Sequence, residues 1–200
     1  MRFLFFAAIL LISCGSPSSE SVSSTTEVTD YLSVPGPIKY NDKNFNLAWS
    51  DHPTEIYYLQ EYLPEGQSVE RFYEMMTIHL FLSEISIDDA VAQKIAEIEE
   101  RKLTDPEAKY SKTENPVGDD VMLEFMVSSK ENEVILEYNI YHYSKADVGD
   151  GLEALRIMAY SRRDYNDEIP AFMDVFETER SARFYELIGL EKPEVKLSAQ

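Results

Sequence analysis

An α+β domain built on one antiparallel β-sheet is the fold class this sequence predicts, and three observations predict it. Several short runs alternate apolar and polar residues with the period of two that marks a strand with one buried face. Two other segments carry apolar residues at helical spacing, bracketed by start and stop signals. Consecutive strand segments lie close enough to pair as hairpins, which favours antiparallel order with the helices packed on the sheet. The expectation is a sheet of about six to seven strands and two main helices in an α/β sandwich.

The elements follow in order. Phe45-Asn46-Leu47-Ala48-Trp49 reads as a short strand, closed by a turn at Ser50-Asp51-His52-Pro53. Glu55 to Leu63 is rich in aromatic residues and places Ile56, Tyr58, Gln60 and Tyr62 on one face. Pro64-Glu65-Gly66 breaks that run, Ser68 to Glu74 fits a short helix, and Met75 to Leu82 reads as a buried strand. Ser86 then suits an N-cap, with Asp88 and Asp89 facing the positive end of the helix dipole. Ile87, Val91, Ile95 and Ile98 form the apolar stripe of this helix, Arg101 and Lys102 its basic last turn, and Asp105-Pro106 its stop.

Three alternating strands come next. Val121, Leu123, Phe125 and Val127 share one face; Val134, Leu136, Tyr138 and Ile140 share another, with a hairpin loop between them at 128–132. Leu155, Ile157 and Ala159 alternate with Arg156, Met158, Tyr160 and Arg162. Asp167 to Ile188 reads as the closing helix, with Pro170 tolerated in its first turn and Gly189 and Pro193 as stop signals.

The amino terminus has a different character. One positive charge, Arg2, precedes the apolar run Phe3 to Ile12, which has the layout of a secretory signal and is too short for a transmembrane helix. The run ends in Leu11-Ile12-Ser13-Cys14, which resembles the lipobox of bacterial lipoproteins: a branched apolar residue, a tolerant position, a small residue and a cysteine. The resemblance implies diacylglycerol on the Cys14 thiol, cleavage before it, and acylation of the new amino group. Two or three acyl chains, at about 0.8 kcal/mol per buried CH₂, anchor stably where one does not. The organisation expected is a signal peptide over residues 1–13, Cys14 and a Ser/Thr-rich tether through residue 30, one domain over 31–192, and a tail over 193–200. Gly15, rather than Asp, after the cysteine implies by the same resemblance an outer-membrane position facing the periplasm.

Charge and cysteine content narrow the function classes. With 18 basic and 37 acidic residues the net charge is −19, which repels nucleic acid and anionic lipid surfaces, so no nucleic-acid partner is expected. Cys14 is the only cysteine, so the chain forms no intramolecular disulfide and presents no further thiol for catalysis. The element order is also similar to the PsbP/Mog1-like fold, with Trp49 on an early strand and the helix after Asp167 where that pattern places them. That similarity implies a fold and does not by itself imply a function.

Candidate sites are sparse. The three histidines His52, His79 and His142 lack the short spacing of a metal site, so no metal and no cofactor is expected. Asp147-Val148-Gly149-Asp150-Gly151 and Asp164-Tyr165-Asn166-Asp167-Glu168 are rich in oxygen ligands but do not match a calcium loop, and they read as turn and cap residues. No G-x-S-x-G elbow, dinucleotide fingerprint or P-loop is present.

The strip Arg156, Tyr160, Arg162 and Arg163 stands out in so acidic a chain as a candidate anion or partner contact, since arginine forks suit carboxylates. Its structural alternative is pairing with acids of the closing helix, such as Asp174 or Glu177. Tyr57, Tyr58, Tyr62, Tyr141, Tyr143 and Tyr160 crowd the strands; Tyr141 and Tyr143 face away from Val134, a binding surface if no helix covers that face and core with hydroxyls at the rim if the closing helix does, and two available helices favour coverage. The expectation is a lipid-anchored, non-catalytic binding or scaffolding protein of the cell envelope with a protein partner. A solute- or divalent-ion-binding module and an envelope enzyme stand as alternatives.

Overall fold

The structure is a computed structural model and describes residues 28–115, 118–149 and 151–197. Cys14, the expected signal peptide and most of the expected tether lie outside the described residues. The elements are β1 (Ile38–Tyr40), β2 (Lys43–Thr54), β3 (Tyr57–Leu63), β4 (Glu74–Phe81), α1 (Ile87–Arg101), β5 (Lys109–Glu114), β6 (Val121–Ser129), β7 (Ile135–Asp147), β8 (Glu153–Tyr165) and α2 (Ile169–Gly189). A single 3₁₀ turn, Asn166–Glu168, leads into α2.

All eight strands form one sheet in the order β1-β2-β3-β4-β8-β7-β6-β5, every neighbouring pair antiparallel. The α+β class and the antiparallel sheet are as the sequence predicts, with eight strands instead of six to seven. The difference lies at the two edges. β1 has only three residues and turns into β2 through Asn41 and Asp42, both at positive φ, the conformation of a tight two-residue hairpin. β5 (KYSKTE) is polar and largely exposed, so it has no alternation to reveal it.

Two local expectations are corrected. The Ser50–Pro53 turn is strand: β2 continues through bulges to Thr54, and Pro53 is tolerated because only an edge strand can spare its N–H. The Ser68–Glu74 helix is absent. In its place Gln67 Oε1 accepts the backbone N–H groups of Tyr73 and Glu74, and Phe72 is buried against Leu63 and Met75.

Helix α1 forms where its caps place it. Ser86 Oγ accepts the Asp89 N–H at 3.0 Å, and Ile87, Val91 and Ile98 are buried. These residues pack on Val121, Leu123, Phe125, Tyr143, Leu155 and Ile157. On the opposite face α2 buries Phe172, Phe176 and Leu187 against Met76, Ile78, Tyr138, Met158 and Tyr160. Each such apolar side chain contributes roughly 1.5–3 kcal/mol relative to exposure.

The terminal segments complete that second layer. Asp30 Oδ1 accepts from the backbone N–H of Leu32 and of Val34, and Tyr62 Oη donates to the Val34 carbonyl at 2.7 Å. Gln60 Oε1 accepts from Leu32 N–H, Ser50 Oγ donates to the Thr29 carbonyl, and Lys196 N–H donates to the Leu32 carbonyl. Of the expected tail, Val195 is buried and Leu197 packs against the core.

Candidate functional site

Strand alternation sends the arginine strip to two sides of the sheet. Arg156, Tyr160 and Arg162 face α2, whereas Arg163 faces the side that carries α1. Arg156 is buried, donating to Ser144 Oγ and the Pro193 carbonyl. Tyr160 is fully buried and donates to Glu74 Oε1 at 2.8 Å, while Arg183 Nη1 donates to both Tyr160 Oη and Glu74. Arg162 pairs with Asp164 and with Glu179 of α2, at 2.9 Å each. Arg163 pairs with Glu137 and lies over the Phe72 ring. The structure therefore brings Tyr160 and Arg162 into one network with α2, leaves Arg156 and Arg163 outside it, and gives all four internal partners.

The other polar groups that the sequence singles out are local. His142 Nε2 and Lys192 both meet Asp120, and burial pushes the His142 pKa down. His52 stacks on Tyr58. Asp147 accepts the Gly149 N–H at the β7–β8 turn. Among the described residues no group of three or more His, Cys, Asp or Glu is placed to hold a metal ion. A cleft of about 270 Å³ between β5, β6 and α2 includes Glu124, Tyr138 and Arg180, but those groups already satisfy one another, with Arg180 bidentate on Glu124.

The face opposite α2 is different. Helix α1 covers it over β5, β6 and β7, and the 64–73 loop covers it where Phe72 meets Leu63 and Met75. Between these two lies a trough with no described element across it. The strand registers align its residues: Trp49 opposes Glu61, Glu61 opposes Thr77, Thr77 opposes Ala159, and Ala159 opposes Tyr141. Directly opposed residues share a sheet face, so these five form one row across five strands. Thr77 and Ala159 are short and buried and make the floor; Trp49 is exposed and Tyr141 half-buried at the two ends. In the next row Leu59 opposes His79 and His79 opposes Ile157. Tyr57 stacks on Phe81 at 4.5 Å and hydrogen-bonds His79 Nδ1 at 2.9 Å.

The electrostatics of the trough follow from partial burial. Glu61 is half-buried, and no described residue hydrogen-bonds its carboxylate; desolvation pushes its pKa up to about 7, opposed by the nearby Arg163 charge. His79 is pushed down to about 4 by desolvation and by Lys94, which favours the neutral imidazole at neutral pH. Tyr57 rises to about 12, by burial first and then by the charges of Glu61 and Asp51. Lys94 reaches over the rim from α1, 5.9 Å from the ring centroids of both Phe125 and Tyr141, and pairs with Glu97. Sequence reading passed over Glu61 because Ile56, Tyr58, Gln60 and Tyr62 draw attention to the other face. The available signal was the polar pair Thr77 and His79, two residues apart in an otherwise apolar strand.

Fold and site together define an antiparallel α+β domain with one sheet face covered and the other open in part. A model of an uncharacterised protein family matches residues 32–191, most of the chain, and the protein belongs to that family. No curated protein matches the sequence. Among the described residues no helix is long and apolar enough to cross a membrane.

Proposed function

We propose that this protein is a lipid-anchored binding protein of the bacterial cell envelope, tethered through Cys14 and engaging a protein partner on the open part of its second sheet face, without catalysis. One observation carries the binding reading. The row from Trp49 to Tyr141 is a strip of sheet surface with aromatic ends and a short-side-chain floor, and it holds Glu61, a carboxylate without a hydrogen-bonding partner among the described residues. Exposed aromatic side chains are enriched at protein interfaces. The tether and its outer-membrane, periplasm-facing address rest on the lipobox resemblance at Leu11-Ile12-Ser13-Cys14. The element order, with Trp49 on an early strand and a closing α2, supports a PsbP/Mog1-like assignment, which concerns architecture only.

Site-specific photo-crosslinking in intact cells tests the reading. A photoreactive residue at Leu59, in the trough, is expected to yield a discrete higher-mass adduct, and one at Ser181, on the exposed side of α2, is not. Cys14→Ala is expected to release the protein from the membrane fraction and weaken the Leu59 adduct. Equal crosslinking from both positions would count against the trough, and membrane retention of Cys14→Ala would count against the anchor.

A further inference from the structure

We infer that the trough takes a basic peptide segment of the partner, with a lysine or arginine side chain set against Glu61 between the aromatic walls. This deepens the binding role proposed above and rests on it.

The dimensions favour a segment over a single small group. Trp49 on β2 and Tyr141 on β7 are separated by β3, β4 and β8. Four strand spacings make roughly 19 Å, enough for an extended chain or for a helix about 10–12 Å across. Thr77 and Ala159 are short and buried at the centre of the row, so a segment lying across the trough meets the longer side chains around them, Trp49, Tyr57, Glu61 and Tyr141.

Charge selects the chemistry of that segment. Four carboxylates surround the trough: Asp51 from β2, Glu61 from β3, Glu97 from α1 and Glu137 from β7. Two cations face them, and both are committed: Lys94 to Glu97 at 2.6 Å and Arg163 to Glu137. Among the described residues no cation forms an ion pair with Asp51 or Glu61. Arg163 acts on Glu61 only through its field. A neutral segment would desolvate Glu61 further and drive it to the protonated form, and an acidic or phosphorylated one would be repelled. An ammonium or guanidinium supplies charge-assisted hydrogen bonds to that carboxylate. The rings of Trp49, Tyr57 and Tyr141 add faces suited to cations, a use already visible where Lys94 lies near Tyr141. The net charge of −19 steers a basic segment toward the molecule from a distance.

Trp49, the only tryptophan, reports on the trough directly. The probe is a dodecapeptide of alternating lysine and alanine, titrated into the full chain at physiological ionic strength while Trp49 emission is followed. The expected result is a saturable emission change that weakens about tenfold or more in Glu61→Gln, from loss of a charged hydrogen-bond acceptor. The same peptide with acetylated lysines is expected to bind no better than that variant. Glu153→Gln removes an equal charge from an exposed position at the start of β8 and is expected to bind like the parent protein. Circular dichroism checks that each variant is folded. Equal weakening by Glu61→Gln and Glu153→Gln would overturn the site in favour of bulk charge. Equal binding of the acetylated peptide would overturn the basic chemistry. If the Leu59 crosslink also persists in Glu61→Gln cells, the partner reading stands and this inference falls alone.

Discussion

On the face beneath α2, Glu74 is almost fully buried and is met by Lys43, Tyr160 and Arg183, and Glu124 is met by Tyr138 and Arg180. On the opposite face, Glu61 lies only half-buried and no described residue hydrogen-bonds to it. Both faces thus carry carboxylates; Glu74 and Glu124 on one face and Glu137 on the other are paired from within the chain, whereas Glu61 is not. Three direct partners hold Glu74 below the ordinary glutamate range in spite of its burial, whereas burial opposed only by the field of Arg163 lifts Glu61 to about 7. The contrast separates a polar group that serves the fold from one that costs the fold something, the one to which the proposed partner would bring a cation.

The comparison can be broken most forcefully at Glu74. Glu74→Ala leaves buried Arg183 with Glu179 as its remaining carboxylate partner and takes the acceptor from Tyr160, and is expected to cost about 3 kcal/mol, read from urea denaturation. A loss no greater than that of a surface substitution would mean the covered network is not structural. Glu61→Gln acts in the opposite direction. Because the folded pKa is raised, the unfolded state gives up its proton first, and stability falls as pH rises from the ordinary glutamate value to about 7. The charged and titratable groups around Glu61 in the trough are Arg163 with its partner Glu137, Tyr57, Tyr141, His79, Asp51 and the Lys94–Glu97 pair, and of these Arg163 is the cation that offsets its burial. Glu61→Gln is therefore expected to stabilise the protein by about 2 kcal/mol at pH 8 and to have little effect at pH 4.5, compared by denaturation at both values.

Smaller effects sharpen the boundary of the open face. Ser86→Ala removes the cap of α1, the helix that walls the trough, and is expected to cost about 1 kcal/mol in thermal or urea unfolding. Lys94→Ala removes a rim cation and a partly exposed pair, so stability should change by no more than about 0.5 kcal/mol. The informative readout there is His79. Its depressed pKa means that stability is lost as pH falls from the ordinary histidine value toward 4, and without Lys94 the midpoint is expected to rise in an NMR titration of the imidazole. An unmoved midpoint would show that desolvation alone sets it.

What could be read from the sequence was what is local. The Ser86 cap, the α1 stripe and the alternation of β6, β7 and β8 depend on neighbours within a few residues, and each element formed where its pattern placed it. The edges were hidden because β1 is too short for a period and β5 buries almost nothing. The Asn41-Asp42 pair was a turn signal that the short strand before it obscured. Alternation also placed Arg156, Tyr160 and Arg162 on one face, but that Arg162 would find Glu179, rather than Asp174 or Glu177, depends on how α2 docks. The trough was illegible for the same reason. Trp49, Glu61, Thr77, Ala159 and Tyr141 span 110 positions in the chain (159 − 49), and only strand register makes them neighbours.

The clasp at residues 29–34 has a mechanical consequence. Ser50, Gln60 and Tyr62 grip this segment on one side and Lys196 on the other, through hydrogen bonds spread over several residues. A pull on the amino-terminal end of this segment would meet these bonds first. The side chains that hold it belong to β2 and β3, to one side of the β4–β8 seam on which the trough floor lies.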